Sequence, residues 1–304
     1  MRRPARRQKE KRRLSLGRLL LLLILVVGLV VFFFCLKGKY WNGKDELNLV
    51  INKGNGDVLV AAFDPLSDEI TTILIPGDTQ VQVARQLGTW KIGSVWKLGQ
   101  NEKLSGTLLA ETVTKNFRFP VTLWADEPAY AFTTGDFWSE IKAIFNPYKT
   151  NLGLGDRLRI ALFSLGIKNT SRINIDLKES TYLKETRLIG GEEGFVVSGS
   201  VPERLTAVFS EESFSSQNLK AIIKDSTQES AVSDRIGEIV EVLGIKVGTI
   251  EKDETKDLDC TVAAREDYLR EKIARLFSCT EVKSAPEGNF DLEINLGEKF
   301  AKRF

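Results

Sequence analysis

The stretch that decides the fold is ITTILIPGDTQV, residues 70–81. Its first half is built almost entirely from β-branched and aliphatic residues, which predicts a strand. Pro76 and Gly77 end that strand, because proline fixes φ and lacks an N–H whereas glycine frees the backbone. Asp78 and Thr79 follow at the strand end, where proteins often present binding residues. The stretch is therefore typical of a functional loop, and it raises the question of whether a working side chain is missing at Gly77.

Further strand-like runs place this stretch in an α/β fold. LNLVI (47–51) and VLVAAF (58–63) precede ITTILI, and the turn DPLSDE joins the last two runs. A connection of about six residues between two such runs predicts an antiparallel hairpin. Apolar residues at helical spacing predict helices, namely 107–117, 135–145, 154–166, 230–243 and 266–277. Strands that alternate with helices in this way are typical of the α/β class.

The charge of the chain is divided unevenly. The first 39 of the 304 residues contain eleven Lys or Arg and one Glu, whereas the whole chain has a net charge of +2, so residues 40–304 carry a net charge of −8. An acidic body repels phosphates, which argues against a nucleic-acid partner. The basic character belongs to the N-terminal tail, residues 1–18.

An uncharged run follows that tail. LLLLLILVVGLVVFFFCL, residues 19–36, would span roughly 27 Å as a helix, close to the hydrocarbon thickness of a bilayer. The basic tail before it predicts a cytoplasmic N-terminus and an extracytoplasmic body. A cleaved signal peptide is the alternative, but the exit FFFCLK lacks a small-x-small cleavage pattern. We therefore expect a single-pass membrane protein with an uncleaved anchor.

The absence of histidine restricts the chemistry. The sequence contains no His, which excludes Ser-His-Asp and Cys-His nucleophilic sites and His-ligated zinc. Any catalysis would depend on carboxylates, Lys, Arg, Tyr, Ser or a hard metal such as Mg²⁺. Two of the three cysteines, Cys260 and Cys279, lie in the predicted extracytoplasmic body, where disulfides can persist.

The body divides into two predicted domains. Residues 46–209 form the first, the Ser-rich segment 210–218 reads as a linker, and residues 219–304 form a small second α/β domain. In that second domain Cys260 opens one strand and Cys279 precedes another, with a helix between them. Parallel neighbouring strands would bring the two Cα atoms within disulfide range, whereas two buried free cysteines would give the same sequence pattern.

The motifs of the first domain resemble those of the LytR-CpsA-Psr family, membrane-anchored enzymes that transfer glycopolymers from polyprenyl-pyrophosphate carriers to the cell wall. Asp57 matches an acidic residue that helps to hold Mg²⁺ in the family, and Asp78 and Thr79 match the Pro-Arg-Asp-Thr motif after the strand. Lys91, in KIGSVWKLG (91–99), matches a Lys-Ile-Asn motif. Residues 219–304 resemble the LytR C-terminal domain in their order of strands and helices and in the closing DLEINLGEKF.

Two departures from the family pattern affect its chemistry. Gly77 replaces the arginine that contacts the pyrophosphate, and a guanidinium offers a fixed fork of donors that glycine lacks. The later Arg-rich family segment is missing, which makes this a shortened domain. Arg157 and Arg159, on helix 154–166, are the nearby candidates to replace it. If the rest of the pocket survives, Gly77→Arg should then raise the affinity for a pyrophosphate lipid.

Each of these candidates also has a structural interpretation. Asp57 and Asp78 follow glycines, where Asp commonly serves turn chemistry. Arg157 and Arg159 lie on the polar side of helix 154–166 and are expected to point to solvent, opposite an apolar face. That face contains Leu154, Leu158, Ala161, Leu162 and Leu165.

The resemblance and its departures lead to one functional reading with two alternatives. We expect a membrane-anchored envelope protein that is non-catalytic, requires no cofactor, and binds a wall polymer, a polyprenyl-phosphate lipid or an envelope protein. A Mg²⁺-dependent phosphotransferase that uses Asp57 and a relocated arginine pair is the first alternative, and a purely structural scaffold is the second. Convergence of two or more arginines on Asp57 would favour the enzyme, because a pyrophosphate needs that charge.

Overall fold

The computed structural model of the protein describes residues 38–304, together with Leu23 and Gly28. The predicted basic tail (1–18) and the predicted membrane segment (19–36) lie outside the described residues, apart from those two positions. Within the described part of the chain, no helix has both the length and the hydropathy needed to cross a bilayer. The membrane segment and the topology that follows from it therefore stay predictions.

The described residues form a mixed α/β structure, which confirms the predicted fold class for this part of the chain. The strands are β1 (Leu47–Asn52), β2 (Val58–Asp64), β3 (Glu69–Ile75), β4 (Thr79–Gln82), β5 (Thr89–Lys91), β6 (Leu123–Ala125), β7 (Arg172–Asp176), β8 (Leu183–Arg187), β9 (Glu193–Val197), β10 (Lys220–Asp225), β11 (Lys246–Lys252), β12 (Cys260–Ala264), β13 (Thr280–Val282) and β14 (Leu292–Leu296). The α-helices are α1 (Ile92–Asn101), α2 (Thr107–Phe117), α3 (Phe137–Phe145), α4 (Leu154–Gly166), α5 (Glu203–Phe209), α6 (Glu212–Ser215), α7 (Ser230–Val242), α8 (Asp267–Phe277) and α9 (Glu298–Arg303).

The first sheet has the strand order β6-β1-β2-β3-β7. Strands β2 and β3 form the predicted antiparallel hairpin, with Val58 opposite Ile75 and Phe63 opposite Ile70. Strand β7 runs parallel to β3, so the carboxyl ends of these two strands meet at one edge of the sheet. This edge is where the Pro-Gly-Asp-Thr stretch leaves β3.

Both faces of the first sheet are covered. Along β2, Val58, Val60 and Ala62 belong to one apolar cluster, whereas Leu59 and Phe63 belong to another on the opposite face. This alternation follows from the two-residue period of a strand. A strand buried on both faces reads as a continuous apolar run, which explains why VLVAAF lacks polar alternation.

A smaller second sheet, of order β5-β4-β9-β8, starts directly after the Pro-Gly-Asp-Thr stretch. Strand β4 begins at Thr79 and pairs antiparallel with β5, which ends at Lys91. The pairing returns the chain to the end of β3, where α1 begins. Helix α1 was not predicted from the sequence, because its apolar residues are interrupted by glycines.

The third sheet lies within residues 219–304 and has the order β11-β10-β14-β12-β13. Strands β12 and β13 are parallel neighbours, which is the arrangement that the disulfide hypothesis required. Cys260 and Cys279 are joined by a disulfide, with their Cα atoms 4.9 Å apart. Helices α7 and α8 pack their apolar faces on this sheet and give it a core of its own.

The segment 210–218, which the sequence predicts to be a linker, has structure of its own. It contains the short helix α6, and Phe214 is buried in the core of the third sheet. Glu211 is also buried, and it accepts a hydrogen bond from the Tyr268 hydroxyl and pairs with the Lys272 ammonium. These contacts attach residues 210–218 to the domain of residues 219–304. A serine-rich composition does not prevent such packing where one aromatic side chain is buried.

Helix α4 buries only part of the face that its apolar pattern predicts, namely Ala161, which is buried, and Leu158, which packs against the core. Its buried residues include Asp156 and Ser164, whereas Leu154, Leu162 and Leu165 are exposed. The Asp156 carboxylate accepts hydrogen bonds from the backbone N–H groups of Tyr40 and Gly153, among others. Because a buried carboxylate requires such donors, these bonds determine which face of the helix turns inward.

A cavity of about 310 Å³ lies between the first and third sheets and contains a buried acidic group. It is lined by residues 38–48, which enter β1, and by the α8 side chains of Tyr268 and Lys272. The Glu46 Oε1 atom is buried here and has no hydrogen-bond partner among the described residues. Burial raises the pKa of the Glu46 carboxyl to about 8; Lys272 opposes this shift, whereas Glu211 and Asp64 add to it.

This raised pKa predicts that stability falls with increasing pH. Glu46 has an ordinary pKa of 4.5, so between pH 4.5 and about 8 the folded protein retains a proton that the unfolded chain releases. The stabilising protonation is complete below pH 4.5 and is lost as the pH rises through 8. We expect the Glu46→Gln substitution to abolish this pH dependence of stability, as measured by urea unfolding at several pH values.

Glu212→Gln is the matched control for this prediction. Glu212 is an exposed glutamate in α6, near the same cavity, and its substitution should leave the pH profile unchanged. If the profile is as steep in Glu46→Gln as in the wild type, Glu46 is not the group that titrates.

Candidate functional site

Four segments meet at the carboxyl edge of the first sheet and enclose an open cleft of about 590 Å³. They are the turn between β1 and β2, the end of β3, the start of α1 and the end of β7. We call this the motif cleft, because it contains the Asp57, Pro-Gly-Asp-Thr and Lys-Ile-Gly sequences. Its charged side chains are Asp57, Asp78, Lys91, Asp176 and Lys178.

Three glycines close the floor of the motif cleft. A Cβ atom on Gly77 would lie 2.4 Å from the Gly56 carbonyl oxygen, and one on Gly93 would lie at the same distance from that oxygen. The Gly93 N–H also donates a 3.0 Å hydrogen bond to the Gly77 carbonyl oxygen. The backbones approach so closely that only glycine fits at positions 77 and 93 without a shift of the turn. Gly77 is therefore required by the packing around it.

Asp57 uses its carboxylate within the turn. Its Oδ1 atom accepts a 2.9 Å hydrogen bond from the Gly77 N–H, and its Oδ2 atom accepts one from the Asn55 amide at 3.0 Å. Asn55 in turn accepts a hydrogen bond from the Asp57 N–H. These are the contacts of a turn residue that fastens the β1–β2 turn to the end of β3.

The residues of the motif cleft do not fit the Mg²⁺ ion that the family resemblance implies for Asp57. Both Asp57 oxygens already accept hydrogen bonds from N–H donors. Among the described residues, no group of three or more acidic, Cys or His side chains is placed to hold a metal ion. Mg²⁺ sites require several oxygen ligands around one position, and a single engaged carboxylate does not supply them.

Asp78 and Thr79 are neighbours in sequence but differ in accessibility. The Asp78 side chain lines the motif cleft. Thr79 is fully buried, and its N–H donates a 3.0 Å hydrogen bond to the Pro76 carbonyl oxygen, which closes the turn after β3. Of these two predicted binding residues, only Asp78 is available to a ligand.

Two lysines line the motif cleft. Lys91 immediately precedes α1, and its ammonium pairs with Glu192, whose pKa it lowers. Lys178 lies just beyond β7, with its Nζ atom 5.6 Å from the centre of the Phe195 ring. Lys178 was not singled out in the sequence, although its position after a strand parallel to β3 is a usable signal.

Arg157 and Arg159 lie elsewhere, so the hypothesis that they replace the family arginines is wrong for this structure. Arg157 donates hydrogen bonds to the Ile144 and Asn146 carbonyl oxygens and stacks on the Tyr148 ring at 4.3 Å. Arg159 donates a 2.6 Å hydrogen bond to the Trp41 carbonyl oxygen. Neither lines the motif cleft.

The motif cleft is consequently acidic. Three carboxylates, those of Asp57, Asp78 and Asp176, face two lysines, and no arginine is among its described lining residues. The helix α1 N-terminus adds a partial positive charge at Gly93 and Ser94. The arrangement offers hydrogen-bond acceptors and two cations, without the forked donors that suit a pyrophosphate.

Comparison with known proteins gives matches among solved structures only. No protein-family model matches the sequence, and no curated protein matches it. The chain resembles solved LytR-CpsA-Psr structures. One is the LytR-CPS2A-psr family protein YwtF (TagT) with a bound octaprenyl pyrophosphate lipid, at 13% identity and a TM-score of 0.39; the match covers 68% of this chain and 94% of that chain.

Two further structures show the same level of similarity. B. subtilis TagV is 10% identical, with a TM-score of 0.38, and the match covers 68% of this chain and all of that chain. Lin1025 from Listeria innocua is 13% identical, with a TM-score of 0.37, and the match covers 51% of this chain and 92% of that chain.

Proposed function

We propose that this protein is a membrane-anchored cell-envelope protein that binds a wall polymer outside the membrane and does not transfer it. Residues 19–36 would anchor the chain, with the basic tail in the cytoplasm. Residues 46–209 would supply the binding domain and residues 219–304 a LytR C-terminal type domain. The role belongs to cell-wall polymer assembly, as a binding or scaffold component.

The observation that carries this proposal is the packing at Gly77. The position of the family arginine is filled by the Gly56 carbonyl oxygen, 2.4 Å from where a Cβ atom would lie. Phosphoryl transfer depends on cations arranged around the developing charge. In the motif cleft that arrangement is replaced by backbone contacts and an engaged Asp57 carboxylate.

The remaining groups suit a neutral ligand rich in hydroxyl groups. The carboxylates of Asp78 and Asp176 are acceptors for sugar hydroxyls, and Ser94 provides a further polar contact at the rim. A pyrophosphate would face three carboxylates against two lysines, one of which is already paired with Glu192. These charges favour the glycan part of a wall polymer over a polyprenyl pyrophosphate.

Binding measurements on the full chain in detergent test the proposal. We expect saturable binding of soluble peptidoglycan fragments and no saturable binding of octaprenyl pyrophosphate, with or without Mg²⁺. Asp78→Asn should weaken glycan binding by about tenfold, because a charge-assisted hydrogen bond contributes about 1.5 kcal/mol. Isothermal titration calorimetry provides the measurement.

Asp234→Asn is the control, since Asp234 is an exposed carboxylate on α7, outside the motif cleft. Its glycan affinity should equal that of the wild type. Tight binding of octaprenyl pyrophosphate would contradict the preference for glycan, and Mg²⁺-dependent transfer of a glycan from its lipid carrier would establish the phosphotransferase alternative instead.

A further inference from the structure

Helices α3 and α4 carry an apolar surface that no described part of the chain covers. On α4, residues Leu154, Leu162 and Leu165 fall within an arc of about 80° at 3.6 residues per turn. Leu162 is 66% exposed, and Leu154 and Leu165 are also exposed. A leucine stripe of this kind normally packs on another surface.

Helix α3 extends the same surface with aromatic residues. Trp138 is 68% exposed, and Phe137 and Phe145 are exposed beside it. The two helices are fastened together beneath them, where the buried Glu140 Oε1 accepts a hydrogen bond from the Ser164 hydroxyl at 2.7 Å. We call Phe137, Trp138, Phe145, Leu154, Leu162 and Leu165 together the α3–α4 surface.

Exposed lysines outnumber exposed acids in this region. Residues 136–168 contain five Lys or Arg and three acids. Two of the acids, Glu140 and Asp156, are fully buried, whereas Lys142, Lys149 and Lys168 are exposed. Asp136, before α3, and Asp68, near Leu162, are the exposed acids. The contrast with the net charge of −8 on residues 40–304 is marked. Exposed lysines around aromatic and leucine side chains are typical of proteins that lie on an anionic lipid surface.

The chain also ties this region to the end of the predicted membrane segment. The Asp156 Oδ1 atom accepts hydrogen bonds from the N–H groups of Tyr40 and Trp41, and Arg159 donates to the Trp41 carbonyl oxygen. Only Lys37 separates Leu36, the last of the apolar run, from Gly38, which limits the distance between the Cα atoms of Leu36 and Gly38 to about 7 Å. A bilayer that holds residues 19–36 must therefore lie beside the start of α4.

We propose that the α3–α4 surface rests in the headgroup region of the bilayer that anchors the chain, with its lysines on anionic lipid phosphates. This inference depends on the proposed anchoring by residues 19–36. The contact would orient the body on the membrane, because two attachments fix an angle that a single attachment leaves free. A second copy of the chain is the less suitable occupant, since the same exposed lysines would face each other across a symmetric contact.

Tryptophan quenching by brominated lipids tests the contact on the full chain. The chain has five tryptophans, and none lies in the run 19–36, so quenching reports on the body alone. For this test, the protein is to be reconstituted into phosphatidylcholine vesicles that contain about 30% phosphatidylglycerol, a fraction that gives an anionic surface. Trp138→Phe should remove about half or more of the quenching, because Trp138 is the tryptophan on the proposed contact.

Trp90→Phe is the matched control. Trp90 is 45% exposed on β5, outside the α3–α4 surface, and its removal should leave the quenched fraction unchanged. Vesicles of phosphatidylcholine alone should quench less, because they lack the anionic partners of the lysines. Near-ultraviolet circular dichroism verifies that both variants are folded.

The possible outcomes distinguish a failure of the membrane anchoring from a failure of the α3–α4 contact. If the wild type does not float with the vesicles, both the anchoring and the α3–α4 contact are overturned. If it floats but Trp138→Phe is quenched as strongly as the wild type, the α3–α4 contact alone is overturned. Disulfide-linked dimers of a Leu162→Cys, Cys35→Ser variant in detergent, with no lipid quenching of Trp138, would assign the surface to a second copy.

Discussion

Gly77→Arg is expected to destabilise the protein by about 3 to 4 kcal/mol and to create no pyrophosphate site. A Cβ atom at this position would lie 2.4 Å from the Gly56 carbonyl oxygen and 2.7 Å from the Gly56 carbonyl carbon. Both obstacles are backbone atoms, so no side-chain rotation relieves the clash. The turn must move, and the hydrogen bond from the Gly77 N–H to Asp57 is then lost.

This expectation reverses the one drawn from the motif alone, in which arginine at position 77 restores a family contact. Restoring the side chain requires space that the β1–β2 turn occupies. The absence of an arginine at position 77 and the close approach of the β1–β2 turn therefore depend on each other. Restoring the arginine without moving the turn should destabilise the protein. A functional revertant would also need a different path of the β1–β2 turn.

Urea unfolding measures the predicted loss of stability, and titration with octaprenyl pyrophosphate measures the predicted absence of lipid binding. Gly190→Arg is the matched control, because a Cβ atom on Gly190 would meet nothing within 4 Å. The control should unfold at the wild-type urea concentration. A Gly77→Arg protein of wild-type stability that binds octaprenyl pyrophosphate would falsify this account of the motif cleft.

Removal of the disulfide has the second large expected effect. Cys260→Ala with Cys279→Ala should lower the free energy of unfolding by roughly 3 kcal/mol, the entropy of closing a loop of about twenty residues. The two cysteines are 19 residues apart and connect neighbouring parallel strands across α8. Unfolding of residues 219–304 should therefore be affected more than unfolding of the first sheet.

Reductant distinguishes this effect from the loss of two buried side chains. Dithiothreitol should destabilise the wild type and leave the double variant unchanged, and Cys35→Ser should respond as the wild type does. Mass spectrometry of a non-reduced digest should recover the linked peptides. Recovery of both cysteines as alkylated thiols from material secreted into an oxidising compartment would contradict the pairing.

Only some residues of the candidate site could be predicted from the sequence. Asp57, Asp78 and Lys91, which match the family motifs in the sequence, line the motif cleft. Asp176 and Lys178 reach it because β7 lies parallel to β3, a pairing between segments about one hundred residues apart. Arg157 and Arg159 were chosen because they were the nearby arginines in the sequence. That choice contains no information on their distance from Asp57 in space.

Local sequence determined the elements that depend on near neighbours. The hairpin of β2 and β3, the helices α2, α4, α7 and α8, and the proximity of Cys260 to Cys279 follow from strand propensity, apolar periodicity and a single βαβ unit. In each of these, the interactions that stabilise the element lie within a few residues or one crossover.

Only the tertiary structure decided which face of a helix is buried and which residue fits at a crowded position. Most of the leucine face of α4 turns outward because Asp156 and Ser164 find their hydrogen-bond partners inside, and a buried polar group without partners costs more than exposed leucines. Gly77 is fixed by the Gly56 carbonyl oxygen, which belongs to another turn. Burial and steric exclusion depend on atoms that are distant in sequence, so only the packed chain determines them.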